Sequence, residues 1–143
     1  MKTMKKNGRA VLIAIVLLFI AVNCSAGELS TPDVIITAFF KKLQTGSIEE
    51  SYSILFEGSN IVKEKPQAIQ GVIAQTKAAF GLYGKIVRWE KVSEMDYGKS
   101  LNKINYLMIT KYPVAWEFYF WKAEDSWSIV NVKFNDQVQS IFN

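Results

Sequence analysis

Apolar side chains in the stretch after residue 30 recur at spacings of three and four, a repeat that places them on one face of an α-helix. The first helix is predicted to begin at Pro32, with Thr31 as its N-cap, and to run to about Gln44, before Gly46. Its apolar positions form a wide face for packing against a core: Ile35, Ile36, Ala38, Phe39, Phe40 and Leu43.

Two further helices are predicted before residue 85. Ser47 and Glu50 form a capping-box pattern, in which the serine hydroxyl and the glutamate carboxylate each accept from a free backbone amide. A short second helix should therefore begin there. The third helix should begin at Pro66 and end near Phe80, because glycines follow.

From residue 85 onward the pattern changes to runs of β-branched and aromatic residues separated by short polar turns. Four strands are predicted, at residues 85–95, 101–110, 114–122 and 126–134. Because the turns between them are of hairpin length, the strands should form an antiparallel meander. The sequence thus predicts an α+β fold, with N-terminal helices packed on a curved four-stranded antiparallel sheet.

The third strand is largely apolar on both faces. Alternation gives one face Trp116, Phe118 and Phe120, and the other face Ala115, Glu117, Tyr119 and Trp121. Such a strand is expected to be covered on both sides, by helices on one and by a partner, a tail or a ligand on the other.

The N-terminus has a different pattern. An unbroken apolar run occupies residues 10–22 and follows four cations, Lys2, Lys5, Lys6 and Arg9. The run is shorter than the roughly 20 residues of a membrane span and has the length of a signal core. Residues 1–26 are therefore predicted to be a secretory signal peptide. Residues 27–143 should form a single exported domain, periplasmic or secreted.

Processing of this segment has two main interpretations. Cleavage after Ala26 fits the small side chains of Cys24 and Ala26 at the positions that signal peptidase reads, and it leaves a mature chain that begins at Gly27 and has no cysteine. Alternatively, Cys24 becomes a lipid anchor, as in bacterial lipoproteins, although Asn23 before it is a poor fit. Membrane contact is expected only through the signal or this anchor.

Setting the signal aside changes the meaning of the charge. The whole chain has 17 basic and 13 acidic residues and a formal charge of +4. Four basic residues lie in the predicted signal and every acidic residue follows it, so 13 of each remain in residues 27–143. Dense aromatics on a sheet can stack nucleobases, but a neutral domain lacks the basic stripe that such binding requires. No nucleic-acid partner is expected.

Composition also limits the chemistry. The chain has no histidine, and its one cysteine is Cys24, so Ser-His-Asp and Cys-His arrangements cannot be built and zinc loses its main ligands. Ser100 and Lys103 match the Ser-x-x-Lys string of penicillin-recognising enzymes, but the string begins a strand and lacks the companion motifs. No catalytic residue, metal or cofactor is predicted.

Glu117 is an unusual carboxylate because it lies in the middle of an aromatic strand. Burial there would raise its pKa, as a general acid requires. A cross-strand pair with Arg88, Lys91 or Lys133 would instead keep it ionised. Asp96, near the end of the first strand, is the other carboxylate that could enter a cavity.

Three helices followed by a meander of aromatic strands resemble the cone-shaped, cystatin-like fold of the NTF2-like superfamily. The resemblance is most specific at Thr31-Pro32-Asp33 with residues 39–47, which are similar to the first helix and its tight glycine turn, and at residues 126–132, similar to the closing strand. It covers nearly all of residues 27–143. Members include ketosteroid isomerases, dehydratases, polyketide cyclases, transport factors and exported domains of unknown role, so the resemblance implies a pocket-bearing scaffold and no particular activity.

The enzymatic branches of that superfamily can be compared with this chain residue by residue. Dehydratases and cyclases use a His paired with an acid, and this chain has no His. Isomerases use a Tyr on the first helix and an Asp as base, and the resemblance places Phe39 and Lys65 at those positions. Neither side chain can perform the corresponding role.

The leading hypothesis is a non-catalytic exported domain that binds a small apolar ligand or a protein partner, in a cavity or on the sheet face. A closed ligand cavity would need about 300 Å³ or more. The alternatives are an isomerase-like or dehydratase-like enzyme that uses a buried carboxylate, and a module that forms homodimers through the outer sheet face. The candidate ligand-binding residues are Trp89, Tyr106, Trp116, Glu117, Tyr119 and Trp121.

Overall fold

The computed structural model describes residues 30–142. The predicted signal peptide, its cleavage site and Cys24 lie outside these residues and stay predictions. Within the described part, no helix has the length and apolar character to cross a membrane. The elements in chain order are α1 (Pro32–Gln44), α2 (Ile48–Leu55), α3 (Ile61–Glu64), α4 (Pro66–Tyr83), β1 (Arg88–Tyr97), β2 (Leu101–Ile109), β3 (Pro113–Ala123), β4 (Ser126–Asn135) and a 3₁₀ turn (Val138–Ile141).

The strands form one antiparallel sheet in the order β1-β2-β3-β4, which confirms the predicted α+β fold and meander. Two β-bulges interrupt the pairing. Val92 is the extra residue in β1, between Lys91 and Ser93, and Val130 is the extra residue in β4. Bulges bend a strand and increase its twist, so they favour a sheet that curves around the helices.

The core lies between α1 and the inner face of the sheet. Phe39 and Phe40 are fully buried on α1, and their rings meet those of Trp116 and Phe118 edge to face, with centroids 5.4 to 5.8 Å apart. Edge-to-face contacts place the positive edge of one ring against the negative face of another. The apolar face predicted for α1 is therefore the face that packs on β3.

A buried hydrogen bond joins α2 to α4. The hydroxyls of Tyr52 and Thr76 are 2.7 Å apart, and Thr76 Oγ1 donates its hydrogen to the carbonyl of Val72 at 2.7 Å. Tyr52 must therefore donate to Thr76, because a hydroxyl has one hydrogen. Burial raises the pKa of Tyr52, so this donor keeps its proton.

Two local predictions were wrong, and two short elements were not predicted. Ser47 is the N-cap of α2, but its hydroxyl makes no capping bond, and Glu50 forms an ion pair with Lys42 instead of completing a capping box. The third predicted helix, α4, continues past Phe80 to Tyr83 and ends at Gly84, whose positive φ of 80° suits glycine. The single-turn helix α3 was not predicted, and neither was the 3₁₀ turn at Val138–Ile141.

Candidate interaction surface

The six candidate residues do not form one site. Strand register places Trp89, Tyr106 and Trp116 on the inner face, toward the helices, and Glu117, Tyr119 and Trp121 on the outer face. The inner and outer groups are separated by the thickness of the sheet. The two groups therefore have to be considered separately.

The inner three residues belong to the core. Trp116 is 1% exposed and Tyr106 5% exposed, and the Trp89 ring stacks on Phe40 with centroids 5.5 Å apart. Tyr106 Oη also donates a hydrogen bond of 2.8 Å to Asp33. Burial and this carboxylate both raise the pKa of Tyr106. These side chains are committed to packing and to a structural hydrogen bond.

Polar groups at the open edge of the inner face are paired with one another. Lys91 Nζ donates to Asp33 at 2.7 Å and also pairs with Glu94. Asn102 Nδ2 donates to Glu94 at 2.9 Å and to Asp96 at 2.8 Å. Desolvation lowers the pKa of Lys91, but its two carboxylate partners outweigh that effect and raise it. Asp96 is exposed and hydrogen-bonded, so it does not enter a closed cavity.

Glu117 lies on the outer face and is bound by two donors. Tyr119 Oη donates to it at 2.7 Å, and Lys103 Nζ lies 3.1 Å away in an ion pair whose side chains are 18% and 15% exposed. Burial alone would raise the pKa of Glu117, but the hydrogen bonds from Tyr119 and Lys103 and the nearby charge of Lys133 lower it overall. The shift is opposite to the one that a general acid requires, and the main pairing partner is Lys103 rather than Arg88, Lys91 or Lys133.

Apolar side chains are exposed at one end of the outer face. Register aligns Tyr97, Leu101 and Trp121 across three strands, and they are 50%, 37% and 49% exposed. Met95, 55% exposed, and Tyr119 stand in the next row. We call Met95, Tyr97, Leu101, Tyr119 and Trp121 the outer patch. The alternating pattern of β1 contained Met95 and Tyr97, but only the register across the hairpin brings them beside Trp121.

The other end of the outer face is covered by the chain itself. Ala115 is 1% exposed, and the 3₁₀ turn contacts β3 there and buries Ile141 to 5% exposure. Asn135, paired with Ala115 in the sheet, donates to Ser140 at 3.4 Å. The tail therefore covers this end of the outer face, as one of the predicted covers, and it leaves the outer patch open.

Searches against known proteins give two structural matches. No protein-family model and no curated protein sequence matches the chain. An NTF2-like transpeptidase from Campylobacter jejuni has a TM-score of 0.53 and 20% identity, covering 71% of this chain and 99% of that one. A calcium/calmodulin-dependent protein kinase type II association domain from Thiobacillus denitrificans has a TM-score of 0.51 and 12% identity, covering 76% and 97%. The chain has the NTF2-like fold.

The interior of this NTF2-like cone is filled by its own side chains. The enclosed space beside Trp116, lined by residues of α4, β2 and β3, measures about 10 Å³, which is at most the room for one water molecule. A closed cavity of about 300 Å³, expected for an enclosed ligand, is not found in residues 30–142; the larger spaces there are open grooves. Within the same residues, no cluster of three or more metal-ligating side chains occurs.

Proposed function

We propose that this NTF2-like domain is a non-catalytic exported module that binds a protein partner through the outer patch. The observation that supports it most is the exposed row formed by Tyr97, Leu101 and Trp121. Contiguous apolar side chains at a surface are uncommon in isolated monomers, and exposed Trp and Tyr are the usual anchors of protein interfaces. A flat partner can cover the whole row at once.

The packed interior and the paired carboxylates favour binding at the surface over two other functions, the binding of an enclosed ligand and acid catalysis by a buried carboxylate. Rings of Phe39, Phe40 and Trp116 occupy the space that an enclosed apolar ligand would need. Glu117 and Asp96, the candidates for a buried acid, are held by Lys103, Tyr119 and Asn102. Tyr119 and Lys103 lower the pKa of Glu117, which makes that carboxyl a poor proton donor near neutral pH.

The charges around the outer patch indicate the chemistry of the partner. Lys99 lies in the β1–β2 turn, and the ammonium groups of Lys103 and Lys133 lie 5.7 and 5.5 Å from the centroid of the Tyr119 ring. Glu117 already neutralises Lys103. Two copies of the chain docked by this face would bring lysines toward lysines, whereas carboxylates around an apolar centre would complement them. We therefore propose an acidic protein partner in preference to a second copy.

Site-specific crosslinking tests this proposal. A photoreactive residue at position 101, in the outer patch, should give an adduct with one acidic protein, and the same residue at the exposed position 82 on α4 should not. The purified partner should lose affinity for a Trp121→Ala, Tyr97→Ala variant and should bind more weakly as salt rises. A salt-independent complex, equal adducts from both positions, or an adduct of two copies of this chain would overturn the proposal.

A further inference from the structure

An open groove of about 360 Å³ lies between the sheet and the loop that leads into α3. Trp121 and Val130 form its wall on the sheet side, and the loop that contains Asn60 forms the other wall. Ser59 Oγ donates a hydrogen bond of 2.7 Å to the carbonyl of Ile129, so the loop is fixed to the edge of β4. The groove is therefore bounded by two walls that are tied together.

Small residues and a bulge leave this space open. Gly58, with a φ of +73°, has nothing within 4 Å of the position that a Cβ would occupy. Ala123 and Ser126 also line the groove with small side chains. The β4 bulge leaves Val130 without a cross-strand partner, and this side chain lines the groove together with Trp121.

The lining combines one exposed indole with polar groups that have no partner of their own. Trp121 is 49% exposed. Among residues 30–142, no hydrogen bond or ion pair engages the side chains of Asn60, Ser128, Glu64 and Lys65, all of which line the groove. An amide, a hydroxyl, a carboxylate and an ammonium group thus remain available beside an aromatic surface, at a volume typical of small-ligand sites.

We propose that this groove binds a saccharide. A sugar ring has a face of polarised C–H groups, which the negative face of an indole attracts, and a rim of hydroxyls that both donate and accept hydrogen bonds. Trp121 would receive the C–H face, while Asn60, Ser128 and Glu64 would pair with hydroxyls. An alkyl chain would leave those polar groups desolvated and unpaired.

The saccharide proposal does not depend on the protein partner, although Trp121 belongs to both surfaces. Asn60 lines the groove and lies outside the outer patch, whereas Tyr97 lies in the outer patch and does not line the groove. Asn60→Ala should therefore weaken saccharide binding alone, and Tyr97→Ala should weaken partner binding alone. Failure of one proposal can in this way be told from failure of the other.

The experiment is a titration of the purified exported protein with the trimers of N-acetylglucosamine and of glucose, followed by calorimetry and by amide chemical shifts. At least one trimer should bind, with shifts centred on residues 58–65 and 121–130, and Trp121→Ala and Asn60→Ala should each lower its affinity about tenfold. Tyr112→Ala, an exposed aromatic outside the groove, is the matched control. Absence of binding by both trimers at about 10 mM, or equal affinity in Asn60→Ala, Trp121→Ala and the control, overturns the proposal.

Discussion

Tyr106 Oη donates a hydrogen bond of 2.8 Å to Oδ1 of Asp33, which lies 73 residues away in the sequence. Lys91 Nζ donates to the other oxygen of the same carboxylate at 2.7 Å. Asp33 is in the first turn of α1, whereas its two donors are on β2 and β1. One carboxylate thus fixes the start of α1 to two strands of the sheet. Its negative charge also interacts favourably with the positive N-terminal end of the helix dipole.

Tyr106→Phe should destabilise the protein measurably. The substitution removes one donor to Asp33 and keeps the ring that contacts Phe40 and Phe118. A hydrogen bond to a charged group contributes about 1.5 to 3 kcal/mol. Because Lys91 remains as a second donor to Asp33, we expect the free energy of unfolding to fall by about 1.5 kcal/mol, the lower end of this range. Urea unfolding measures it. Tyr97→Phe, at a half-exposed tyrosine of the outer patch, should change little, and equal losses in both variants would contradict the assignment.

Glu117 should make stability depend on pH in the acid range. Its pKa in the folded protein is lowered from the ordinary value of 4.5, through Tyr119, Lys103 and the charge of Lys133, despite the opposing effect of burial. A depressed pKa contributes stability that is fully present above the unfolded-state pKa and is lost as the pH falls through the folded-state pKa. The contribution should therefore be complete at neutral pH, decline as the pH falls below about 4.5, and be lost below the lowered pKa of the folded state.

Glu117→Gln tests this sign. At pH 7 the variant should unfold more easily than the wild type by about 1 kcal/mol, between the values of exposed and buried ion pairs. The difference should begin to shrink as the pH falls below about 4.5, where the carboxyl of the unfolded chain takes up a proton, and should vanish below the lowered pKa of the folded state, where the carboxyl is protonated in both states. Glu57→Gln, at an exposed carboxylate, supplies the control. A difference between wild type and Glu117→Gln that stays constant from pH 7 to pH 3 would show that packing, and not charge, is responsible.

Two glycines should respond to alanine in opposite directions. Gly46 has a φ of +87°, a conformation that costs an L side chain about 1 kcal/mol or more, so Gly46→Ala should lower the free energy of unfolding. Gly71 lies inside α4, and a Cβ there would meet nothing within 4 Å, so Gly71→Ala should raise it by about 0.5 to 1 kcal/mol. Thermal unfolding of the two variants tests this prediction. A shift of the unfolding temperature in the same direction for both variants would contradict the conformations described for Gly46 and Gly71.

The sequence predicted the elements with strong periodicity. The alternation of Trp116, Phe118 and Phe120 identified the buried face of β3, and the spacing of Ile36, Phe39, Phe40 and Leu43 identified the buried face of α1. Both signals arise because side chains three or four positions apart share one face of a helix, and every second side chain shares one face of a strand. In α1 and β3 the positions on the buried face are apolar without interruption. Local hydrogen bonding was less predictable, since the Ser47 hydroxyl makes no capping bond and Glu50 pairs with Lys42.

The candidate surface could be predicted only in part. Alternation placed Glu117, Tyr119 and Trp121 together, but their neighbours come from other strands. Lys103 reaches Glu117 because β2 pairs with β3 in a register that no single segment determines. The groove beside Trp121 likewise depends on the loop at Asn60, which is 61 residues earlier in the chain and which no periodic pattern marks. Sites assembled from separate segments require the packing of the whole domain.

A filled cone makes a clear prediction for its central ring. Phe39 is fully buried, and its ring centroid lies 5.3 to 5.8 Å from the rings of Phe40, Tyr52, Trp116 and Phe118. Phe39→Ala should therefore cost about 3 to 5 kcal/mol, a large share of the stability of an ordinary domain. Val34→Ala, on the exposed side of the same helix where Val34 is 58% exposed, should cost well under 1 kcal/mol, about the range of surface substitutions.

The same pair of variants distinguishes a filled interior from a hollow one. If the cone were hollow, the wild type would take up a small apolar dye, and Phe39→Ala would add little new space. With the interior filled, the wild type should leave the dye in solution, while Phe39→Ala, kept folded by working at low temperature, should bind it in the new cavity. Dye uptake by the wild type and by Val34→Ala, with no increase in Phe39→Ala, would contradict the filled cone.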